Sequence, residues 1–317
     1  MSRRAFLARR LLWSLFVVWL VVTATFLAFA AAPDPNVNIL MWGLPPDEAQ
    51  AVKAQYYAQM NYDEPLLQRY VLWMTEYLTF DFGRSFVRDA PVNPIIAAAV
   101  TKTAAYLVPG VAVAGVLGVA GGLASSLVKG WAGRTADAFG HLGAAFPAFL
   151  LAEALALAAA AKAGVLVSWS PELGTFEGSN LTVLVIAATV VAVTLGATLA
   201  RYAAAETAAV AARDFVKLVR ANGGSPRHVV VHVLRNAGPP LVSLFSIRML
   251  TVLLLGVYLV EVALGIPGFG RVTLVAIQDR DVAIILAATL ITALVGVVGT
   301  LAEDVVNAAL DPRVGSE

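Results

Sequence analysis

Residues 11–32 and 181–200 run for 22 and 20 positions without a charged side chain. Each is long enough to cross the ~30 Å hydrocarbon core of a bilayer as a helix. The rest of the chain shares this character. Hydrophobic residues make up 59% and charged residues 14%, against roughly 25% charged in a soluble domain. One soluble core of this size cannot hide that apolar excess, so the chain reads as an all-α integral membrane protein. It has no cysteine, which excludes disulfides, thiolate nucleophiles and thiolate metal sites. A net charge of +1 gives no footprint for nucleic acid.

The opening residues Ser2-Arg3-Arg4-Ala5-Phe6-Leu7 resemble a twin-arginine export signal, and Ala30-Ala31-Ala32 resembles a cleavage site. The apolar core of a signal peptide is only ~7–15 residues long, so the longer run favours a retained first helix. Further spans are expected at 104–128, with Pro109 as a kink, at 138–161, which contains Pro147 and Glu153, at 181–200, at 241–260, which contains Arg248, and at 282–302. That makes six transmembrane helices.

The connections differ in kind. Residues 33–94 hold seven prolines and eight acidic residues against four basic ones, and read as an external subdomain with short helices near 47–60 and 64–79. Residues 129–137 form a short basic turn, and 162–180 an external loop around Trp169 and Pro171. With both termini inside, the cytoplasmic segments carry 13 Lys/Arg and the short external ones four, Lys102, Lys162, Arg271 and Arg280. Lys/Arg excess marks the cytoplasmic face, and long loops are discounted, so both termini are assigned to the cytoplasm.

Residues 203–240 are the one long polar interruption of the apolar second half, carrying Arg213, Lys217, Arg220, Arg227, His228, His232 and Arg235. Residues 203–221 are rich in helix formers. Asn222-Gly223-Gly224 suits a helix C-terminus, and Ser225 and Pro226 suit the N-cap and first turn of the next helix. The second helix is expected to run to about Ala237 and to be interrupted by Gly238-Pro239-Pro240. A short helix–Gly–helix element hanging from a membrane bundle is a surface built to be gripped.

Here a resemblance becomes specific. Asp214-Phe215-Val216-Lys217-Leu218-Val219-Arg220-Ala221-Asn222-Gly223 resembles the cytoplasmic coupling loop of ABC importer permeases of the dipeptide/oligopeptide subfamily, which reads D-Y-V-R-T-A-R-A-K-G. The subfamily's H-x-L-R-N-A-x-x-P is matched by His232-Val233-Leu234-Arg235-Asn236-Ala237 and Pro240. Looser matches stand in the same order along the chain. Asp34-Pro35 resembles P-G-D-P, and Asp81-Phe82-Gly83-Arg84-Ser85 resembles G-D-L-G-x-S. Val260-Glu261-Val262 with Pro267-Gly268-Phe269-Gly270-Arg271 resembles V-E-T-V-F-x-x-P-G-L-G-R, and Leu310-Asp311-Pro312-Arg313 resembles the closing L-D-P-R.

The resemblance implies a type I ABC importer permease fold in the cell membrane. Its parts would be a cytoplasmic N-terminus and first helix (1–32), an external subdomain (33–97), a permease core (98–310) with its coupling loop (203–237), and a cytoplasmic tail (311–317). It implies a second homologous permease subunit, two cytoplasmic ATPase subunits and an external solute-binding protein as partners, besides the lipid bilayer. Di- and oligopeptides are the implied solutes, with oligosaccharides or nickel as alternatives. Asp214, Phe215, Lys217, Arg220, Ala221, Gly223, Ser225 and Pro226 would form the ATPase contact, in which Arg220 supplies charge, Ala221 close approach and Gly223 the turn.

Enzyme chemistry finds no constellation. His228 and His232 have the spacing of a zinc-protease helix, but Val229 stands where the general base belongs. No metal site and no catalytic residue are assigned. There is no Gly-Lys dipeptide and hence no Walker A loop, so ATP and Mg would be held by partner subunits and this chain would bind no cofactor. A membrane-embedded enzyme would need a base and a nucleophile or metal at matching depth, and a stand-alone channel would not need the coupling loop. The charges inside spans, Glu153 and Arg248, are functional hypotheses by default. They either pair across the bundle or touch a polar solute group. Glu261, at the outer end of the fifth span, either serves an external gate or faces water at the interface.

Overall fold

The computed structural model describes residues 3–32, 37, 40–59, 61–85, 87–164 and 167–310. Ser2, the Asp34-Pro35 pair, Asp311-Pro312-Arg313 and the rest of the 311–317 tail lie outside the described residues. The chain is almost wholly helical. In order it forms α1 (Arg3–Ala31), α2 (Pro46–Gln59), α3 (Leu66–Leu78), a two-stranded antiparallel ribbon of β1 (Arg84–Ser85) and β2 (Ala90–Pro91), α4 (Val92–Leu127), α5 (Trp131–Ala145) and α6 (Ala148–Ala163). There follow α7 (Gly178–Ala211), α8 (Asp214–Ala221), α9 (Pro226–Thr251), a π-helical turn (Val252–Gly256), α10 (Val257–Leu264), α11 (Phe269–Gln278) and α12 (Val282–Leu310).

Among the described residues, four helices are long and apolar enough to cross a membrane: α1 over Ala8–Ala31, α4, α7, and α12 over Val282–Val306. Two bent pairs, α5–α6 and α10–α11, raise the number to six if each is one span. The third expected span, 138–161, is thus not one straight helix. It breaks by 103° between α5 and α6, because a proline at 147 disfavours helical backbone in the residue before it, and Phe146 is extended (φ −84°, ψ 127°). The expected interruption at Gly238-Pro239-Pro240 does not occur. Both prolines lie inside α9, since the fixed proline φ is itself helical and the loss is confined to one backbone hydrogen bond per ring. The expected single helix 203–221 is split instead, at Ala212-Arg213, where Arg213 turns extended (φ −69°, ψ 150°).

The chain divides into two compact units. The first comprises the described parts of Met1–Leu11, Thr101–Arg271 and Val298–Glu317. Its centre is α7, whose most apolar window is 67% buried, against 17% for that of α1. Small residues let neighbours close on it. A Cβ on Gly110 would sit 2.9 Å from the Ala188 carbonyl oxygen, one on Gly122 2.8 Å from the Ala203 backbone, and one on Gly143 2.6 Å from the Ala197 Cβ. These contacts bring α4 and α5 onto α7 at backbone range, as expected where packing rather than water drives helix association. Between α6 and α7 the fully buried Asn180 fastens the connection: its amide accepts from the Ser170 N–H at 2.7 Å and donates to the carbonyls of Ser170, Leu173 and Gly174 at 2.9–3.2 Å.

The second unit comprises the described parts of Leu12–Val100 and Val272–Val297. An aromatic ladder of Phe26, Trp73, Tyr77 and Phe82 runs through it with centroids 4.2–5.2 Å apart. The Ser85 hydroxyl donates to Asp281 at 2.5 Å, both side chains being buried. Asp281 starts α12, its carbonyl accepting from the Ile285 N–H at 3.0 Å. The Asp81–Ser85 phrase therefore anchors the ribbon to a helix that lies far along the chain.

Replacing Gly122 by Val should force α4 off α7 and lower stability by ~1–3 kcal/mol, the usual range for overpacking. Gly296→Ala, where an added Cβ meets nothing within 4 Å, should leave it unchanged. Thermal unfolding of the purified protein in detergent reads both.

Candidate functional site

The predicted grip begins with α8, an eight-residue helix whose sequence DFVKLVRA alternates faces sharply. Val216 is fully buried, and Phe215 and Val219 pack beside it against Ala203, Val210, Val229, Val233 and Ala237. This seats α8 on the end of α7 and the start of α9. The opposite face is bare. Asp214, Lys217, Arg220 and Ala221 are exposed, and Leu218 presents an apolar side chain at 61% exposure. Asp214 in the first turn and Arg220 in the last complement the helix dipole. Lys217 pairs with Asp214 at 2.9 Å, but both side chains are solvated, so the pair adds little.

The turn after α8 is fully specified. Gly223 takes φ +76°, a conformation that glycine adopts freely. Its N–H reaches the Arg220 carbonyl at 3.1 Å, and the Gly224 N–H reaches the Val219 carbonyl at 2.9 Å. These are the two bonds of a Schellman ending. Gly224 is needed for a different reason: a Cβ there would lie 2.6 Å from the Val219 oxygen. Ser225 then caps α9, its hydroxyl accepting from the His228 N–H at 3.3 Å with Pro226 at the first position. Two helix ends are satisfied within five residues, so the segment from α8 into α9 holds one conformation.

A second cluster gathers around Glu261, which is 0% exposed. The alternative in which it faces water does not hold. Its carboxyl group accepts from the Thr103 hydroxyl at 2.5 Å, the Tyr106 hydroxyl at 3.0 Å and the Arg271 N–H at 2.9 Å. The Phe269 N–H donates to the Thr103 hydroxyl at 2.8 Å, and the Arg271 side chain donates to the Gly265 carbonyl. The 87° turn from α10 into α11 thus folds back over Glu261. Gly268 allows this, because a Cβ would overlap the Glu261 carboxyl and the Thr103 hydroxyl. Buried polar groups of this kind are retained only when all their partners are in place.

Glu153 and Arg248 are not brought together. Glu153 lies on the exposed side of α6, turned by the break at Pro147. Arg248 donates to the Tyr202 hydroxyl at 3.2 Å and lies 5.7 Å from that ring's centroid. Among the described residues its buried Nε has no partner. Thr103 and Tyr106 escaped the sequence reading, because neither a threonine nor a tyrosine inside an apolar span stands out by pattern. Glu261, which they serve, does stand out.

The model of the family described as binding-protein-dependent transport system inner membrane component matches residues 114–316. Similar proteins run nearly end to end with this one. The oligopeptide transport system permease protein AppB of Bacillus subtilis is 28% identical over 98% of this chain and 99% of its own. The dipeptide transport system permease protein DppB of Lactococcus lactis is 28% identical over 98% of both. The metal-staphylopine import system permease protein CntB of Staphylococcus aureus is 26% identical over 93% of this chain and 94% of its own.

Two outcomes follow from this geometry. Gly224→Ala should unlock the turn and raise amide exchange across 214–224 by at least tenfold, while leaving exchange in α7 unchanged, as read by hydrogen exchange with mass spectrometry. Glu261→Ala should strand two buried hydroxyls and a backbone N–H, each worth ~1–3 kcal/mol. Its unfolding midpoint should fall well below that of Glu261→Gln, which keeps the acceptor oxygen.

Proposed function

This chain belongs to the family of binding-protein-dependent transport system inner membrane components, and from that premise we propose that it is the peptide-translocating permease subunit of an ATP-driven importer. The observation that carries the coupling role is α8: a short helix held rigidly between two satisfied turns, with Leu218, Arg220 and Ala221 offered outward and no intramolecular need for them there. Such a face fits a cleft on a cytoplasmic ATPase. Leu218 enters as the apolar anchor, Arg220 pairs with an acidic rim, and Ala221 permits close approach. Two ATPases holding ATP and Mg, a second permease of the same family and an external solute-binding protein complete the assembly, with both termini of this chain in the cytoplasm.

Peptide is favoured as the solute because the relatives named for oligopeptide and dipeptide transport match over the whole length. A second reading, import of a chelated metal, draws on the relative named for metal–staphylopine import. Closure of the ATPases moves α8 and, through its packing on Val229 and Val233, the membrane part of α9. Arg248 lies further along that helix, and its unpartnered Nε suits an anionic group of a passing solute. The Glu261 cluster serves as a rigid outer latch, and Glu153 faces the second permease or the pathway.

The complex reconstituted with its ATPases and binding protein tests this. Leu218→Asp and Arg220→Glu should each reduce ATP-driven uptake of a labelled tripeptide at least tenfold, with peptide binding to the external protein unchanged. Uptake equal to that of the unaltered complex would remove α8 from coupling.

A further inference from the structure

Within the second unit lies a cavity of about 300 Å³, the lower end of the size range of small-ligand sites. One face of α3 lines it: Arg69, Leu72, Trp73, Glu76 and Tyr77, spaced three and four apart as a single helical stripe requires. The remaining walls include Phe26 and Tyr62, so aromatic rings surround the space. The two charges on the α3 stripe are unusual. Arg69 stands in the first turn and Glu76 in the last, each at the end of the helix where the macrodipole disfavours its sign. Neither has an ion pair or a side-chain hydrogen bond among the described residues. The Arg69 guanidinium is held 4.4 Å from the Tyr62 ring centroid, which fixes its position and leaves its N–H donors open. Burial and the nearby Asp81 raise the Glu76 carboxyl above its ordinary value, as expected of an acid that lacks a cation.

Seven helical steps set the Arg69 and Glu76 backbone positions about 10.5 Å apart along the helix axis. Extended backbone spans ~3.3–3.6 Å per residue, so a free tripeptide places its carboxylate and its ammonium roughly 10 Å apart. Resting on the peptide assignment above, we propose that this cavity is a peptide subsite on the external side of the permease. It takes a zwitterionic tripeptide with its carboxylate on Arg69, its ammonium on Glu76 and its side chains against Trp73, Tyr77 and Phe26. The dipole of α3 favours this polarity and opposes the reverse. No covalent step is involved. The subsite holds the peptide between its release from the external protein and its entry to the pathway.

The experiment uses the detergent-purified permease–ATPase complex without its binding protein, titrated calorimetrically with alanyl-leucyl-alanine. Saturable binding is expected, weakened at least tenfold by Arg69→Gln and by Glu76→Gln. The C-amidated tripeptide should bind the unaltered complex at least tenfold more weakly and be insensitive to Arg69→Gln. The N-acetylated tripeptide should likewise be insensitive to Glu76→Gln. Such matched losses cannot arise from misfolding. Equal binding by the variants overturns the proposal. So does retention of a zwitterionic ethanolamine lipid, detected by mass spectrometry, that depends on Arg69 and Glu76 and that the tripeptide does not displace. Uptake of the same tripeptide by proteoliposomes of the full complex separates the two levels. Uptake without binding in the cavity sinks the subsite alone, and absence of any peptide uptake sinks the solute assignment.

Discussion

Helices surrounded by hydrocarbon are not pressed together by water, so their closeness depends on how near their backbones can come. In this protein that distance is set around α7. Gly110, Gly118 and Gly122 on α4, and Gly140 and Gly143 on α5, leave no room for a Cβ against α7 or only tight contact. Many weak atom contacts at this range replace the hydrophobic drive of a soluble core. The polar features of the first unit stand on the frame this produces: the turn between α8 and α9 at one end of α7, and the loop fastened by Asn180 at the other.

The two polar clusters of that unit are built on one principle in opposite chemical dress. The turn between α8 and α9 satisfies exposed helix ends with backbone bonds and a serine cap, which makes a rigid exposed turn. The Glu261 cluster satisfies a buried acid with two hydroxyls and a backbone N–H, which makes a rigid joint out of water. Rigidity of the turn between α8 and α9 matters for the coupling role proposed for α8, because a push absorbed by a soft turn would not reach α9. The exposed Leu218 fits this purpose, since an apolar residue on a helix that already buries Val216 contributes nothing to its own fold.

The segment between α1 and α4 follows a different logic. Its two short helices and ribbon are too small to hold themselves by aliphatic packing, and ring contacts take over: Phe26, Trp73, Tyr77 and Phe82 form a continuous ladder. The Ser85–Asp281 hydrogen bond ties the ribbon to the start of α12. A cavity remains beside the ladder, and two of the charges that line it, Arg69 and Glu76, have no ion pair or side-chain hydrogen bond among the described residues.

Much was legible from residue order alone. Uncharged runs of helix length can do little else than cross a bilayer, and Asn222-Gly223-Gly224-Ser225-Pro226 states its own stop and restart, because backbone conformation there depends on the residue itself. The membrane class, the helical architecture, the family and the helix stop and restart at 222–226 therefore came from the sequence. The continuation of α9 through Pro239-Pro240, the 103° break before α6 and the separation of Glu153 from Arg248 did not, since proline permits both a kink and a continued helix, and only neighbouring packing chooses. The same holds for the burial of Glu261. The chain shows an acid beside a Pro-Gly turn, but the hydroxyls that receive it lie more than 150 positions away. A hydrogen-bond partner at that distance is assigned by the tertiary fold, because nothing local in the sequence records which side chains will meet.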